Sequence, residues 1–243
     1  MPAALDRVRH MRHMWSLFKN EPTDPEPFYR AMAVSTADEL EQRHRVTGTQ
    51  ILDAGCGPGW YVEELRNRGA TIIGLDGDQA ALTLRTPPTP GLLRCDAAAM
   101  PFEDASFDGV FCSNLLEHAA DTQGVLNELA RVLRPGGWGY LSWTNWYSPH
   151  GGHDMNPYQY LGPNWGPRLY ERRNGPPRTN RYGEGLFAVH IGATLKKMRT
   201  VPDVEITRVE PRYWPQFRFI CSIPAAREVL TWNCVIHFTK TGG

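Results

Sequence analysis

Strand-like and helix-like patterns alternate from Thr49 to Tyr140, and this rhythm predicts an α/β chain built on a doubly wound, mainly parallel sheet. Two further observations support that reading. A buried-type strand, Ile51-Leu52-Asp53-Ala54, runs directly into the glycine-dense turn Gly55-Cys56-Gly57-Pro58-Gly59. The amphipathic run behind it (Trp60, Val62, Leu65) then reads as a helix whose first N–H groups face the turn. Glycines at alternate positions let a ligand approach the main chain, so the turn is a candidate binding site as well as a corner.

The other elements follow in chain order. Ahead of the first strand, Leu5, Val8, Met11, Trp15 and Phe18 recur at helical spacing with Arg7, Arg9, Arg12 and His13 between them. Such a stripe is expected to pack over the main domain; a membrane-surface or homodimer contact is the alternative. Glu21-Pro22-Thr23-Asp24-Pro25-Glu26-Pro27 breaks this helix, and a second is expected from Phe28 to His44. Thr71-Ile72-Ile73-Gly74-Leu75 reads as the next strand, closed by Asp76 and Gly77. Gly139 to Thr144 supplies a later strand, with Asp108 fixing a strand entry and Gly136 and Gly137 ending a helix and starting the strand after it. A helix over Leu186 to Arg199 and strands over Val204 to Val209 and Val229 to Phe238 complete the chain, which makes His237 an ordinary strand residue. The expected organisation is a helical cap over 1–47 and a main domain over 48–243, in which 146–185 form a lid-like insertion too long for an ordinary loop.

Asp53 narrows the choice of ligand. A dinucleotide site favours G-x-G-x-x-G with a pyrophosphate on the helix N-terminus, whereas this turn reads G-C-G-P-G with an acid two residues ahead of it. An acid there repels phosphate and attracts a cation. Asp76 follows the turn by about twenty residues, where an acid in such folds grips ribose hydroxyls. S-adenosylmethionine, cationic and free of phosphate, suits both acids.

With these residues the chain resembles the class I S-adenosylmethionine-dependent methyltransferases. The match continues in order through Leu93-Arg94-Cys95-Asp96-Ala97-Ala98-Ala99-Met100-Pro101-Phe102, then Phe107 to His118, then Arg131-Val132-Leu133-Arg134-Pro135-Gly136-Gly137, and spans about residues 48–145. The resemblance implies a seven-stranded Rossmann-like methyltransferase sheet that ends in an antiparallel hairpin, with S-adenosylmethionine as cofactor and S-adenosylhomocysteine as product. It also implies cofactor contacts from Asp53, Gly55, Cys56, Gly57, Gly59, Asp76, Gly77, Asp96, Ala97, Ser113, Asn114, Leu115 and His118. Among them Asp96 and the Ala97 backbone would hold the adenine edge, Ser113 would sit beside the methionine moiety, and Leu115 and His118 would line the face after the fourth strand.

The insertion is where an acceptor is expected, because it leaves the carboxyl end of a central strand and is rich in ligand-recognising side chains. Trp146, Tyr147, Tyr158, Tyr160 and Tyr182 are the candidate substrate contacts. Methyl transfer from a sulfonium is an in-line displacement, and a hydroxyl acceptor must also lose its proton. His153 and His150 are the candidate bases, with Asp154 to orient one of them; the Gly151-Gly152 bend favours His153, and His118 is a third candidate. The plainer reading of Pro149 to Asp154 is a hydrogen-bonded turn. No third or fourth ligand stands at zinc-type spacing and a magnesium site wants more carboxylates, so no metal is expected.

Composition trims the alternatives. The 243 residues are 41% hydrophobic, enough for one sizeable core, and 26 basic residues balance 26 acidic ones, which gives no basic field for nucleic acid. Five cysteines, an odd number without C-x-x-C spacing, read as buried thiols of a reducing cytoplasm. No apolar run approaches a membrane span, and the first residues lack a signal-peptide block. The resulting expectation is a cytoplasmic methyltransferase that acts on an oxygen of a small molecule. N- or C-methylation, or a non-catalytic binding module, are the alternatives.

Overall fold

The computed structural model describes residues 13–14, 16–20 and 23–242. Its strands are β1 (Gln50–Ala54), β2 (Thr71–Asp76), β3 (Leu92–Arg94), β4 (Phe107–Ser113), β5 (Leu133–Thr144), β6 (Val204–Pro211) and β7 (Asn233–Lys240), joined in one sheet of order β3-β2-β1-β4-β5-β7-β6. Only β7 runs against its neighbours, β5 on one side and β6 on the other. This is the doubly wound, mainly parallel seven-stranded sheet anticipated from the sequence.

Helices cover both faces, which is why the central strands are apolar almost throughout instead of alternating. On one face Leu52, Leu75, Val110, Cys112 and Leu141 form a core with residues of α4 (Thr122–Val132) and α6 (Ile191–Met198). On the other, Ile51, Ile72, Phe111, Trp138 and Tyr140 pack beneath α1 (Glu26–Arg43) and α2 (Trp60–Asn67). Phe111 stacks on Tyr140 at 4.9 Å between ring centroids, and Tyr61 of α2 closes on Phe111 at 4.8 Å. β1 pairs with β2 on one side and β4 on the other, so strand order reverses beside the carboxyl ends of β1 and β4. A crevice at that point is where open α/β sheets bind ligands.

Several boundaries differ from expectation. β5 begins at Leu133, six residues early, because Leu133 pairs with Phe107 before the register shifts around Gly136 and Gly137. The helix expected from Leu186 begins at Ile191, and Leu186 instead bridges Tyr182. Val229 and Leu230 belong to a short helix, α7 (Pro224–Leu230), not to the last strand. A proline at its first position starts it, and Glu228 accepts from the N–H groups of Ile191 and Gly192, capping α6 from a distance. Within the insertion lie α5 (Gly162–Asn174) and the single-turn helices His153–Met155 and Tyr158–Leu161, and α3 (Gln79–Leu82) follows β2.

Of the N-terminal apolar stripe, Leu5, Val8, Met11 and Trp15 lie outside the described residues. Residues 16–20 are helical, and Phe18 meets Phe28 at 5.5 Å and His150 at 4.9 Å. His237 is a strand residue as expected, yet its ring faces Glu39 and Glu210 at 3.3 and 3.4 Å. Those three side chains place ligand-type atoms within 4.8 Å of one another. Glu210, 1% exposed, is already matched by Arg43 at 3.1 Å and Arg208 at 2.5 Å, so the cluster is a charge-balanced strut between α1 and the sheet. Among the described residues no helix is long and apolar enough to cross a membrane, and all five cysteines are free thiols, four of them buried as expected and Cys95, just after the edge strand β3, only half-buried.

Candidate functional site

The glycine turn sits where the sequence placed it, between β1 and α2. Gly55 (φ 81°) and Gly57 (φ 51°) take the left-handed conformation that L side chains resist. At Gly55 a Cβ would lie 2.8 Å from Leu115 Cβ, so this glycine serves packing against the loop after β4. At Gly57 a Cβ would meet nothing within 4 Å, so this backbone borders open space. Asp76 braces the turn: its Oδ2 accepts from Gly57 N–H at 2.9 Å and its Oδ1 from Asp78 N–H at 2.8 Å. Each carboxylate oxygen keeps a lone pair for a further donor such as a ribose hydroxyl.

Asp53 is 1% exposed, and its Oδ2 has no hydrogen-bond partner. Burial first, and then the charge of Asp76, hold its carboxyl well above the usual carboxylate range. A buried acid with an orphaned oxygen beside an open glycine turn wants a cationic partner. The ammonium and sulfonium of S-adenosylmethionine would supply one, and the residues therefore fit that cofactor.

The remaining residues implied by the resemblance lie at or just after the carboxyl ends of β1 to β4. Asp96 is exposed and accepts from Ala98 N–H at 2.9 Å, while Ala97 is buried beside it. Cys56 is buried next to the turn, and Gly77 follows Asp76 at the surface. Beyond β4, Ser113 is buried, Asn114 takes φ 56° and accepts from Asn233 at 2.7 Å, and Leu115 abuts Gly55. His118 shares a 2.7 Å hydrogen bond between Nδ1 and the Gly185 carbonyl, which ties the loop after β4 to the insertion.

The structure divides the insertion residues. His153 meets His118 edge to face at 5.2 Å, and burial, reinforced by His118, pushes its imidazole down to about 4. His150 stands apart, between Phe18 at 4.9 Å and Trp232 at 6.3 Å, and burial lowers its pKa as well. Asp154 orients neither ring. Its Oδ2 accepts from the N–H groups of Arg178 and Thr179 and from the Thr179 hydroxyl, so it pins a turn of the insertion.

The aromatic residues of the insertion mostly pack on one another. Trp146 is 1% exposed, donates its indole N–H to the Gln159 carbonyl and meets Tyr182 at 5.4 Å, which makes it the insertion's own core and removes it from direct contact with a ligand. Tyr158 packs on Tyr170, Tyr147 lies against His190, and Tyr160 is exposed. Sequence reading missed a second aromatic group, Trp214 and Trp232, which meet at 5.1 Å beside His150. Both stand in the connection between β6 and β7, where no motif marks them. Two small cavities, of about 190 and 220 Å³, lie on the flanks of the domain and include no residue of the glycine turn.

Comparison with known proteins agrees with this geometry. Residues 52–141 match the family described as a methyltransferase domain. An uncharacterized methyltransferase of Mycolicibacterium gilvum is 34% identical over 237 residues, 93% of this chain and 92% of that protein. Another from Mycobacterium tuberculosis is 34% identical over 243 residues, 96% of this chain and 95% of that protein. The crystal structure of an S-adenosylmethionine-dependent methyltransferase from Mesorhizobium loti, 22% identical, superposes with a TM-score of 0.58 over 84% of this chain and 96% of its own. Sheet order, glycine turn and relatives agree: the chain belongs to the class I S-adenosylmethionine-dependent methyltransferase superfamily.

Proposed function

We propose that the protein transfers a methyl group from S-adenosylmethionine to an oxygen of a small-molecule acceptor, with His153 as the base that takes the acceptor's proton. The observation that carries this reading is the His118–His153 pair beside the strand ends that bear the glycine turn. Burial keeps His153 neutral at physiological pH, the form that can accept a proton. Asp53 would hold the cofactor's cationic end, Asp76 its ribose, Asp96 and Ala97 its adenine, and Ser113, Asn114 and Leu115 its methionine side. The insertion 146–185 serves as a lid over the transfer site, and five free thiols suit a cytoplasmic protein.

A screen of small-molecule acceptors for S-adenosylhomocysteine release tests the activity, and His153→Ala tests the base. With a hydroxyl acceptor the variant should turn over about a hundredfold more slowly and still bind S-adenosylmethionine. Wild-type turnover should stay level from pH 6 to 8 and decline only as the pH approaches about 4. Unchanged turnover in His153→Ala, with chemistry rate-limiting, rules out this base and points to nitrogen or carbon as the acceptor atom. No product from any acceptor, despite cofactor binding, favours a non-catalytic module.

A further inference from the structure

Arg212, the residue after β6, is a cation that no carboxylate pairs with among the described residues. Its N–H donates to Asn233 and continues the β6–β7 ladder, while its side chain turns back across the sheet. Nη1 donates to Ser113 Oγ at 2.9 Å and Ser142 Oγ at 3.3 Å; Nη2 donates to Tyr61 at 2.7 Å and Thr36 at 3.2 Å. All four partners are hydroxyls, and among the described residues no carboxylate pairs with this guanidinium. Arg131, by contrast, pairs with Glu128 and Asp104, and Arg68 with Glu64, Glu41 and Asp38.

Two features make this more than a structural brace. Each hydroxyl that accepts from Arg212 keeps its own proton to donate, so Thr36 and Tyr61 can turn further donors toward a group bound there. The Tyr140 hydroxyl beneath is fully buried and makes no well-formed hydrogen bond. A guanidinium satisfied by neutral hydroxyls and lacking a counter-charge, above an unpartnered buried hydroxyl, is costly unless an anionic ligand completes it. The place is also informative. Ser113 ends β4 one residue beyond Cys112, the register partner of Ala54, and Ser142 lies on β5. The guanidinium thus stands beside the glycine turn, on the side away from Asp76 and Asp96.

We propose that Arg212, with Thr36, Tyr61, Ser113 and Ser142, forms a receptor for a carboxylate brought in by a ligand of the active site. The group comes either from the amino-acid end of the methyl donor or from the acceptor, which would then be an acid. The proposal rests on the methyl-transfer reading for its ligands. With both hydrogens of each Nη on hydroxyls, the guanidinium offers a carboxylate its charge and its Nε–H, and the hydroxyls' own protons supply the remaining hydrogen bonds.

Calorimetry on the full chain, on Arg212→Met and on the charge-retaining Arg212→Lys tests this with three probes. They are S-adenosylhomocysteine; 5′-methylthioadenosine, which keeps the nucleoside and lacks the amino-acid end; and benzoate, added alone and to protein saturated with S-adenosylhomocysteine. If the carboxylate is the donor's, Arg212→Met binds S-adenosylhomocysteine about tenfold to a hundredfold more weakly and 5′-methylthioadenosine unchanged, with part of the loss restored in Arg212→Lys. If it is the acceptor's, S-adenosylhomocysteine binds the variant normally and benzoate loses about the same factor. Equal weakening of both nucleosides would mean that Arg212 only supports the fold, and the proposal would be overturned. Indifference of every probe to Arg212 would overturn it too. Benzoate held through Arg212 by a wild-type protein that takes no S-adenosylhomocysteine would retain the carboxylate site and sink the methyl-transfer reading instead.

Discussion

Asp53 bears a stability cost that its proposed role explains. Its folded pKa lies above the unfolded value, so between the two the folded state loses stability as pH rises, and at neutral pH the loss is in place. Asp53→Asn should therefore melt higher than wild type at pH 7, with the difference vanishing below about pH 4. The same variant should bind S-adenosylmethionine about tenfold to a hundredfold more weakly. Thermal melts across pH and calorimetry measure both, and a variant that melts lower at pH 7 and binds normally would contradict the assignment. His153 has the opposite sign. Its folded pKa of about 4 lies below the unfolded value, so its contribution to stability is present above about pH 6.5 and lost as pH falls toward 4. Arg212 belongs to this scale as well, and its importance was invisible in the sequence: Ser113 and Thr36 lie 99 and 176 residues away along the chain. No local pattern around Pro211-Arg212-Tyr213 could announce them.

At the scale of elements, the strands that carry the candidate site were legible because parallel strands covered on both faces leave unbroken apolar runs. The glycine turn was legible because only glycine suits its backbone. The failures have tertiary causes. Val229-Leu230-Thr231 has the composition of a strand, yet the segment before it coils because Pro224 starts a helix and Glu228 is needed to cap α6. Within the insertion, aromatic richness suggested ligand contact for Trp146, whereas a forty-residue excursion first needs a core of its own, and Trp146, Met155 and Leu186 provide it. That small core is joined to the main domain through His118 and the Gly185 carbonyl, Phe187 N–H on the Glu117 carbonyl, Trp146 N–H on the Val189 carbonyl and ring contacts of Tyr147, His150 and His153. A core distinct from that of the main domain predicts separate opening. Amide exchange over 146–185 should be faster than in the sheet without ligand and slow when S-adenosylhomocysteine and an acceptor bind together. Equal protection in the two states would make the insertion a fixed element, not a lid.

For the whole molecule, sheet order concentrates the chemistry. Strand reversal beside β1 and β4 collects the glycine turn, Asp53, Asp76 and Ser113 along one edge, and the connections after β4, β5 and β6 bring His118, His153 and Arg212 to the same edge. With 26 basic and 26 acidic residues the chain carries no net charge, so no overall basic field draws a polyanion to it. The central claim is that this edge is built for a cationic adenosyl ligand, and titration calorimetry of S-adenosylmethionine into wild type and Asp76→Ala addresses it most directly. Asp76 braces Gly57 and is the proposed ribose contact, so the wild type should bind one equivalent and the variant should bind about tenfold to a hundredfold more weakly. Wild-type protein that binds NADH in place of S-adenosylmethionine, or a variant that binds S-adenosylmethionine unchanged, would contradict the account.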